Sequence, residues 1–464
     1  MASDRAAKST ERTGSPSSRA APGTFEKVGY GMGGAANNVI WTGISTFLVY
    51  FYTDVVGIAA GLIGTIMLFS RIFDGVTDVV MGLALDKTRS KHGKARPWLL
   101  WLAVPFAIAA VLLFTVPDVG ATTQIAYIVL TYNLALLIYT AVEIPHGTLG
   151  ALITDDQHQR SVLNIAKMVG AYVAIITISN VTLPIVDFFG GGQSGWVSTF
   201  VLYGAVAAAI YVITFRSTTE RTRPAQADPQ DGQASAKDRV LALVRNEYWL
   251  IATLVLLLMY IYNAMTSGVA IYYAENVLGA PTLVGVVTTA LTLATLAGTL
   301  FMLPIARRFG KRNTALAGCL VAVVGSLIIL IEPTSTSAVM VGQVVRGLGK
   351  AAVMGVTFAM LADTMEYGEW KTGVRIEGLI YSGASMGIKI GTGLGSGLIG
   401  WGLALSGYAG TRVVQDAEAV TMISVMFIWV PVGVSLLMAV LLALFRLDKQ
   451  YPRILAELQA MRDR

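Results

Sequence analysis

Asp74 and Asp78 stand four residues apart within Leu62 to Leu85, a mostly apolar stretch long enough to cross a bilayer. Residues i and i+4 share a helix face, so the two carboxylates repel at close range in a medium where even one charge is costly. The pair needs a positive partner: a shared proton, a bound Na⁺, or a cationic side chain, and Arg71 lies on the same arc. Thr77 adds a hydroxyl to that face. One reading is a cation or proton site inside the membrane; the other is a structural ion-pair network around Arg71. Intramembrane acids point first to ion pathways.

Other polar groups interrupt further apolar runs. Glu143 precedes Ile144-Pro145 in the fourth run, three residues after Thr140. The proline frees a backbone carbonyl, and these oxygens with those of Asp74 and Asp78 are the hard ligands that Na⁺ or a sugar hydroxyl requires. The plainer reading of Glu143 is a charge that snorkels to the interface. Lys167 in the fifth run is either a snorkelling base or a buried partner of Glu143 or of the Asp pair. In the eleventh run Gly383, Gly387, Gly391 and Gly395 recur every fourth residue, a stripe that lets a neighbouring helix approach closely. Beside it, Ser382, Ser385 and Lys389 form a polar line ending in a charge deep in the run; that lysine must meet water, substrate or an acid. Asn37 and Asn38 in the first run, with Tyr260, Tyr262 and Asn263 in the seventh, supply amides and flat rings. These suit a sugar's hydroxyls and C–H face, or equally hydrogen bonds between helices.

The elements that must position these groups are membrane helices. Of 464 residues, 55% are hydrophobic and 13% charged, about half the charge of a soluble domain, and mean hydropathy is +0.64. The single cysteine, Cys319, excludes an intramolecular disulfide, and His92, His146 and His158 have no metalloprotease spacing. Gly347-x-Gly349-Lys350 lacks the P-loop spacing, which argues against ATP-driven pumping. The chain therefore reads as a non-enzyme without cofactor. Its net charge of +6 falls in short loops between apolar runs, without the basic, aromatic-rich domain that a nucleic acid needs, so the lipid bilayer is the partner expected.

Runs of about 20 apolar residues begin near Ala35, Gly61, Trp98, Gln124, Asn164, Val197, Tyr248, Leu283, Thr314, Ala338, Leu379 and Val420, which predicts an all-α membrane protein of twelve transmembrane helices. Lys and Arg cluster after every second run, as in Lys87 to Arg96, Arg216 to Arg245 and Arg307 to Arg312, while the alternate loops are nearly free of them: Pro117 to Thr123, Asp187 to Gly195, Asn276 to Thr282 and Glu332 to Ser337 carry none. That asymmetry places both termini in the cytoplasm of a multi-pass cell-membrane protein. Residues 1–24 read as a disordered cytoplasmic tail, 25–215 as an N-terminal six-helix bundle and 216–246 as a cytoplasmic linker without apolar period. Residues 247–446 read as a C-terminal six-helix bundle, and 447–464 as an amphipathic cytoplasmic helix with Tyr451, Ile454, Leu455, Leu458 and Met461 on its apolar side. Gly93-Lys94-x-Arg96 resembles Gly310-Lys311-Arg312 at the matching place in the second half, the mark of a duplicated, pseudo-symmetric transporter that rocks around a central site. Mixed charge in these loops, Asp86, Glu366 and Arg375 foremost, suggests a cytoplasmic gate made by ion pairing.

Tyr52-Thr53-Asp54-Val55-Val56-Gly57, then Arg71-x-x-Asp74-x-x-x-Asp78-x-x-x-Gly82, then Gly93-Lys94-x-Arg96-Pro97-Trp98 resemble the glycoside-pentoside-hexuronide:cation symporters, a branch of the major facilitator superfamily. Ala362-Asp363-Thr364-x-Glu366-Tyr367-Gly368-Glu369-Trp370-Lys371, running on to Gly378, is similar to that family's most characteristic stretch, as are Lys389 and Gly407-Tyr408. The resemblance covers residues 25 to 450. It implies the major facilitator fold and makes Asp74 and Asp78 cation ligands (of Na⁺ in a sodium-coupled carrier), with Thr140 a third contributor and Thr77 at a position where some relatives use Asn. It puts Glu143 at the place of a sugar-binding Asp of melibiose-type carriers and Lys389 at the place of their functional lysine. Asn38 replaces the first-helix Asp of those carriers, Asn37-Asn38 resembles the glucuronide carriers, and Gly147 replaces a Trp.

The expectation is therefore a secondary transporter that imports a glycoside or oligosaccharide with Na⁺ or H⁺ by alternating access. Its cation site is Asp74, Asp78, Thr77 and Thr140, and its sugar site is Asn37, Asn38, Glu143, Lys167, Ser385 and Lys389. The alternative is transport of an amphipathic lipid or another non-sugar solute on the same fold. Nothing in the sequence sets the oligomeric state.

Overall fold

A computed structural model of the chain describes residues 21–222, 236–373, 376–412 and 414–462. The foremost part of the tail, the middle of the linker and Arg375 of the expected gate lie outside the described residues. The first half comprises α1 (Thr24–Tyr50, extended by a π-turn at Phe51–Val55), α2 (Ala60–Lys87), α3 (Arg96–Phe114), α4 (Ala121–Ile153), α5 (Gln157–Phe188) and α6 (Gly192–Ser217). A short α7 (Ala236–Val244) leads to α8 (Glu247–Gly268) and α9 (Ala270–Asn276), which together make the seventh span. Then follow α10 (Leu283–Phe309), α11 (Lys311–Ile331), α12 (Thr336–Thr372) and α13 (Glu377–Leu405). The twelfth span is α14 (Ala417–Ser424), a π-turn (Val425–Trp429) and α15 (Val430–Leu444); α16 (Leu447–Arg462) closes the chain. Ten of the described helices are apolar and long enough to span a bilayer on hydropathy alone. Of the two long helices outside that set, α2 carries Arg71, Asp74 and Asp78 in its interior.

Two of the differences from the sequence reading have a packing reason. α1 begins at Thr24 rather than near Ala35. Its polar first turn is covered by protein: Glu26 is buried, ion-paired with Arg221 at 2.9 Å and accepting from the Thr219 N–H at 2.9 Å. α7 falls inside the stretch read as an aperiodic linker, because Ala242 and Leu243 find cover against the neighbouring helices.

The duplication is visible in a repeated clamp. Gly93 and Gly310 both turn the chain at positive φ, +105° and +84°, where a side chain would be strained. After each turn an acid from beyond the sixth helix of that half takes up the free N–H groups of the new helix. Glu220 accepts from the backbone of Lys94, Ala95 and Arg96 at 2.7, 2.8 and 2.9 Å, and Asp448 from that of Arg312 at 2.9 Å. Arg96 and Arg312 then donate to carbonyls at the end of the same sixth helix, Phe215 at 2.6 Å and Leu442 at 2.9 Å.

α13 joins the halves. Its predicted stripe packs on α8: Cβ atoms added at Gly383, Gly387, Gly391 and Gly395 would run into Trp249, Thr253, Leu257 and Ala264. Its other side lies along α2, where Gly400 meets Ala60 and Gly64, and Gly393 meets Arg71. The second crossing between halves is α5 on α10, where the Asn180 amide donates to Thr289 at 2.7 Å. α16 packs against α12, burying Ile454 and Leu458, with Trp370 donating to Glu457 at 2.7 Å. The side bearing the start of α1 and α16 is called the near face below, the opposite side the far face.

Candidate functional site

α2, α4 and α13 converge on one carboxylate cluster. Asp74 is 2% exposed and Asp78 24%, so the first is sealed in protein and the second faces open space. Asp74 accepts from the Thr140 hydroxyl at 2.9 Å and from Arg71 at 3.2 Å. The ammonium of Lys389 sits between the acids, 2.9 Å from Asp74 Oδ2 and 2.6 Å from Asp78 Oδ1, and donates also to the Asp74 carbonyl at 2.8 Å. Its three N–H groups thus have three acceptors, all on α2, and the ion pair ties the two halves together. The partners seen are cationic side chains: Arg71 pairs with Asp74, as the ion-pair reading expects, and Lys389 bridges Asp74 and Asp78. Thr77 gives its hydroxyl to the Asp74 carbonyl at 2.9 Å rather than to a carboxylate.

A second cluster joins α1, α4, α5 and α6. Lys167 pairs with Glu143 at 2.7 Å. The Asn37 amide donates to the other Glu143 oxygen and accepts from the Tyr211 hydroxyl, and the buried His146 ring lies 3.5 Å from Asn37 and 3.0 Å from the Tyr30 carbonyl. Asn38 stands apart, donating to Gly34 of its own helix at 2.9 Å. Adjacent helical residues are turned about 100° from one another, and Asn37 and Asn38 accordingly meet different partners. Tyr211 and His146 carry no site signal in the sequence, since only the fold brings α6 and the later part of α4 to Asn37.

Trp41 links the clusters. Its ring lies under the Arg71 guanidinium, 4.3 Å away, and against Tyr139, 4.7 Å between centroids. It lines an interhelical cavity with Arg71, Tyr132, Tyr260 and Asn263. Sequence reasoning named the seventh-span pair but missed Trp41, although it stands one turn beyond Asn37. Ser385 is half-buried one turn before Lys389, towards the near face.

On the far face the halves are latched: Tyr408 donates to Asp54 at 2.6 Å, Tyr50 to Glu275 at 3.3 Å, and Thr53 shares a hydrogen bond with Tyr272 at 2.9 Å. On the near face Asp86 pairs within its own half, with Lys94 at 2.7 Å. Glu366 has one buried carboxylate oxygen without a hydrogen-bond partner, and Arg375 lies outside the described residues.

Residues 29–449 match the family model described as MFS/sugar transport protein. The chain is 34% identical to the isoprimeverose transporter of Lactiplantibacillus pentosus over 94% of its own length and 91% of that protein's. It is 31% identical to the inner membrane symporter YicJ of Escherichia coli strain K12, covering 90% of each, and 32% identical to the glucuronide carrier protein homolog of the same organism, covering 93% and 94%. Among solved structures, a bacterial homolog of the human lysosomal transporter Spinster, inward-facing and unoccupied, superposes with a TM-score of 0.66 at 13% identity, covering 92% of this chain and 97% of that one. The nucleoside transporter NupG superposes with 0.63 at 14% identity, covering 91% and 99%; these two carry the fold alone.

Proposed function

This chain belongs to the MFS/sugar transport protein family, in its glycoside-pentoside-hexuronide:cation symporter branch, and from that premise we propose that it imports a glycoside or oligosaccharide together with Na⁺ or H⁺ by alternating access. The observation that carries the reading is Lys389 seated between Asp74 and Asp78 across the two halves.

The cation-free carrier is neutralised from within. Lys389 and Arg71 compensate the two carboxylates, which otherwise repel at i, i+4 spacing. A Na⁺ or proton arriving from outside competes with the lysine for Asp78, the more open acid, and frees the ammonium. Asp74, Asp78 and the Thr140 hydroxyl then supply oxygens for the ion. Release of Lys389 unties α13 from α2, so cation binding changes how the halves hold each other, and this is the differential interaction that coupling needs.

Sugar binding falls to the cavity beside it. Trp41 and Tyr260 offer flat apolar faces, Asn263 an amide, and the Glu143–Lys167–Asn37 cluster charged donors and acceptors for hydroxyls. The basic loops set the near face in the cytoplasm with both termini. The latched far face, with Asp86 paired inside its own half on the near face, then corresponds to the state open to the cytoplasm. A potential of 100 mV contributes about 2.3 kcal/mol per charge moved, nearly fiftyfold accumulation for one cation.

Counterflow of labelled glycosides into vesicles, with and without Na⁺ and across pH, tests the assignment with Asp78→Asn. Loss of cation dependence is expected; wild-type cation dependence in the variant would remove Asp78 from the site.

A further inference from the structure

Lys350 is an interior cation for which the proposed cycle has no use. It lies fourteen residues into α12, about 20 Å from the far-face end at 1.5 Å per residue, which is the depth of the cavity between the halves. Its Nζ donates to Asn263 Oδ1 at 2.5 Å, and Asn263 lines that cavity. Among the described residues no carboxylate pairs with it. The other lysines and arginines around the cavity are compensated: Arg71 and Lys389 by Asp74 and Asp78, Lys167 by Glu143.

One turn before Lys350, Arg346 is fully buried and donates to Ser326, Gln343 and the Phe427 carbonyl, all neutral. At this depth five bases (Arg71, Lys167, Arg346, Lys350, Lys389) therefore stand against three acids (Asp74, Asp78, Glu143). Two uncompensated positive charges at i, i+4 spacing in a low-dielectric interior call for a negative group. Arg346 is sealed within its half by protein acceptors, whereas Lys350 is half-buried directly behind Asn263, a residue that lines the cavity, so of the two it is Lys350 that a negative group entering there would meet. The carboxylate nearest in kind, Glu143, is already held by Lys167 and Asn37 and presents little net negative charge to a guest.

We infer that the cargo is an acidic glycoside, whose sugar carboxylate pairs with Lys350 and is oriented by Asn263. The inference rests on the glycoside symport proposed above and adds the charge of the substrate. A carboxylate that desolvates onto a buried ammonium discriminates strongly against a sugar bearing CH₂OH at the same carbon, since that sugar leaves the cation unpaired.

Proteoliposomes loaded for counterflow and offered matched pairs, methyl glucuronide with methyl glucoside and methyl galacturonide with methyl galactoside, test it. The wild type should take up a uronide at least tenfold more efficiently than its neutral partner. Lys350→Gln should lower that preference tenfold or more, and Lys350→Arg should keep most of it. Asn263→Asp, which gives Lys350 an internal acid, should lower it as well and serves as the check should Lys350→Gln fold poorly. Cation-dependent uptake that favours the neutral sugars, or a preference unmoved by both Lys350→Gln and Asn263→Asp, overturns this inference and leaves glycoside symport standing. Cation-dependent uptake of neither member of any pair would overturn both.

Discussion

Lys389 and the coupling ion compete for the same two carboxylates in the proposed cycle, so the lysine sets the affinity of the cation site as well as the strength of the tie between α2 and α13. A charge-assisted hydrogen bond contributes about 1.5–3 kcal/mol. Lys389→Ala should therefore tighten cation binding by about tenfold to a hundredfold, read by calorimetry on the purified carrier. Weaker binding in that variant would mean that Lys389 helps to build the site instead of occupying it. Asn37 and Asn38 give a second contrast. Asn37→Ala strands the buried Tyr211 hydroxyl and one Glu143 oxygen and should cost about 1–3 kcal/mol of stability in thermal unfolding. Asn38→Ala removes only a bond to its own helix and should cost under about 1 kcal/mol. Equal losses would show that the network around Asn37 is not cooperative.

At the scale of elements, the spacing of glycines and the charge of caps decide how helices meet. Gly391→Ala drives a methyl group into the Leu257 carbonyl, and overpacking of this kind costs about 1–3 kcal/mol. Gly378→Ala on the same helix meets nothing within 4 Å and should be tolerated. Since Ala favours a helix over Gly, a matched change in both would mean that the α8 contact does not explain the stripe. Glu220 makes a comparable case at the start of α3. Removing its charge with Glu220→Gln weakens three backbone hydrogen bonds at a helix N-terminus and should lower stability by about 1 kcal/mol. The stripe could be read from the sequence, because a four-residue repeat of glycine has one geometric meaning on a helix. The clamp could not: Glu220 lies far along the chain from Lys94, and only its basic partner loops carried a recognisable repeat.

For the whole molecule, alternating access requires the halves to part on the far face, where Asn180 of α5 meets Thr289 of α10 and Tyr408 meets Asp54. Oxidising the pair Asn180→Cys and Thr289→Cys should stop transport, and reduction should restore it; the native Cys319 is buried and does not interfere. Full cross-linking with undiminished transport would show that α5 and α10 never separate.

Much of this arrangement was written along the chain. Apolar runs of bilayer length, alternating basic loops and twin intramembrane acids depend on local composition and on the period of a helix, so the sequence by itself determined a multi-span, two-half carrier with a charged core and named Asp74, Asp78, Glu143 and Lys389. It did not say which of these would meet. That Lys389 reaches both acids, that Asn37 rather than Asn38 joins Glu143, and that Lys350 finds an amide and, among the described residues, no acid were settled by the tertiary structure alone. The physical reason is that an interior charge takes whichever partner the packing of distant helices brings within about 3 Å, a distance that hydropathy and periodicity do not encode.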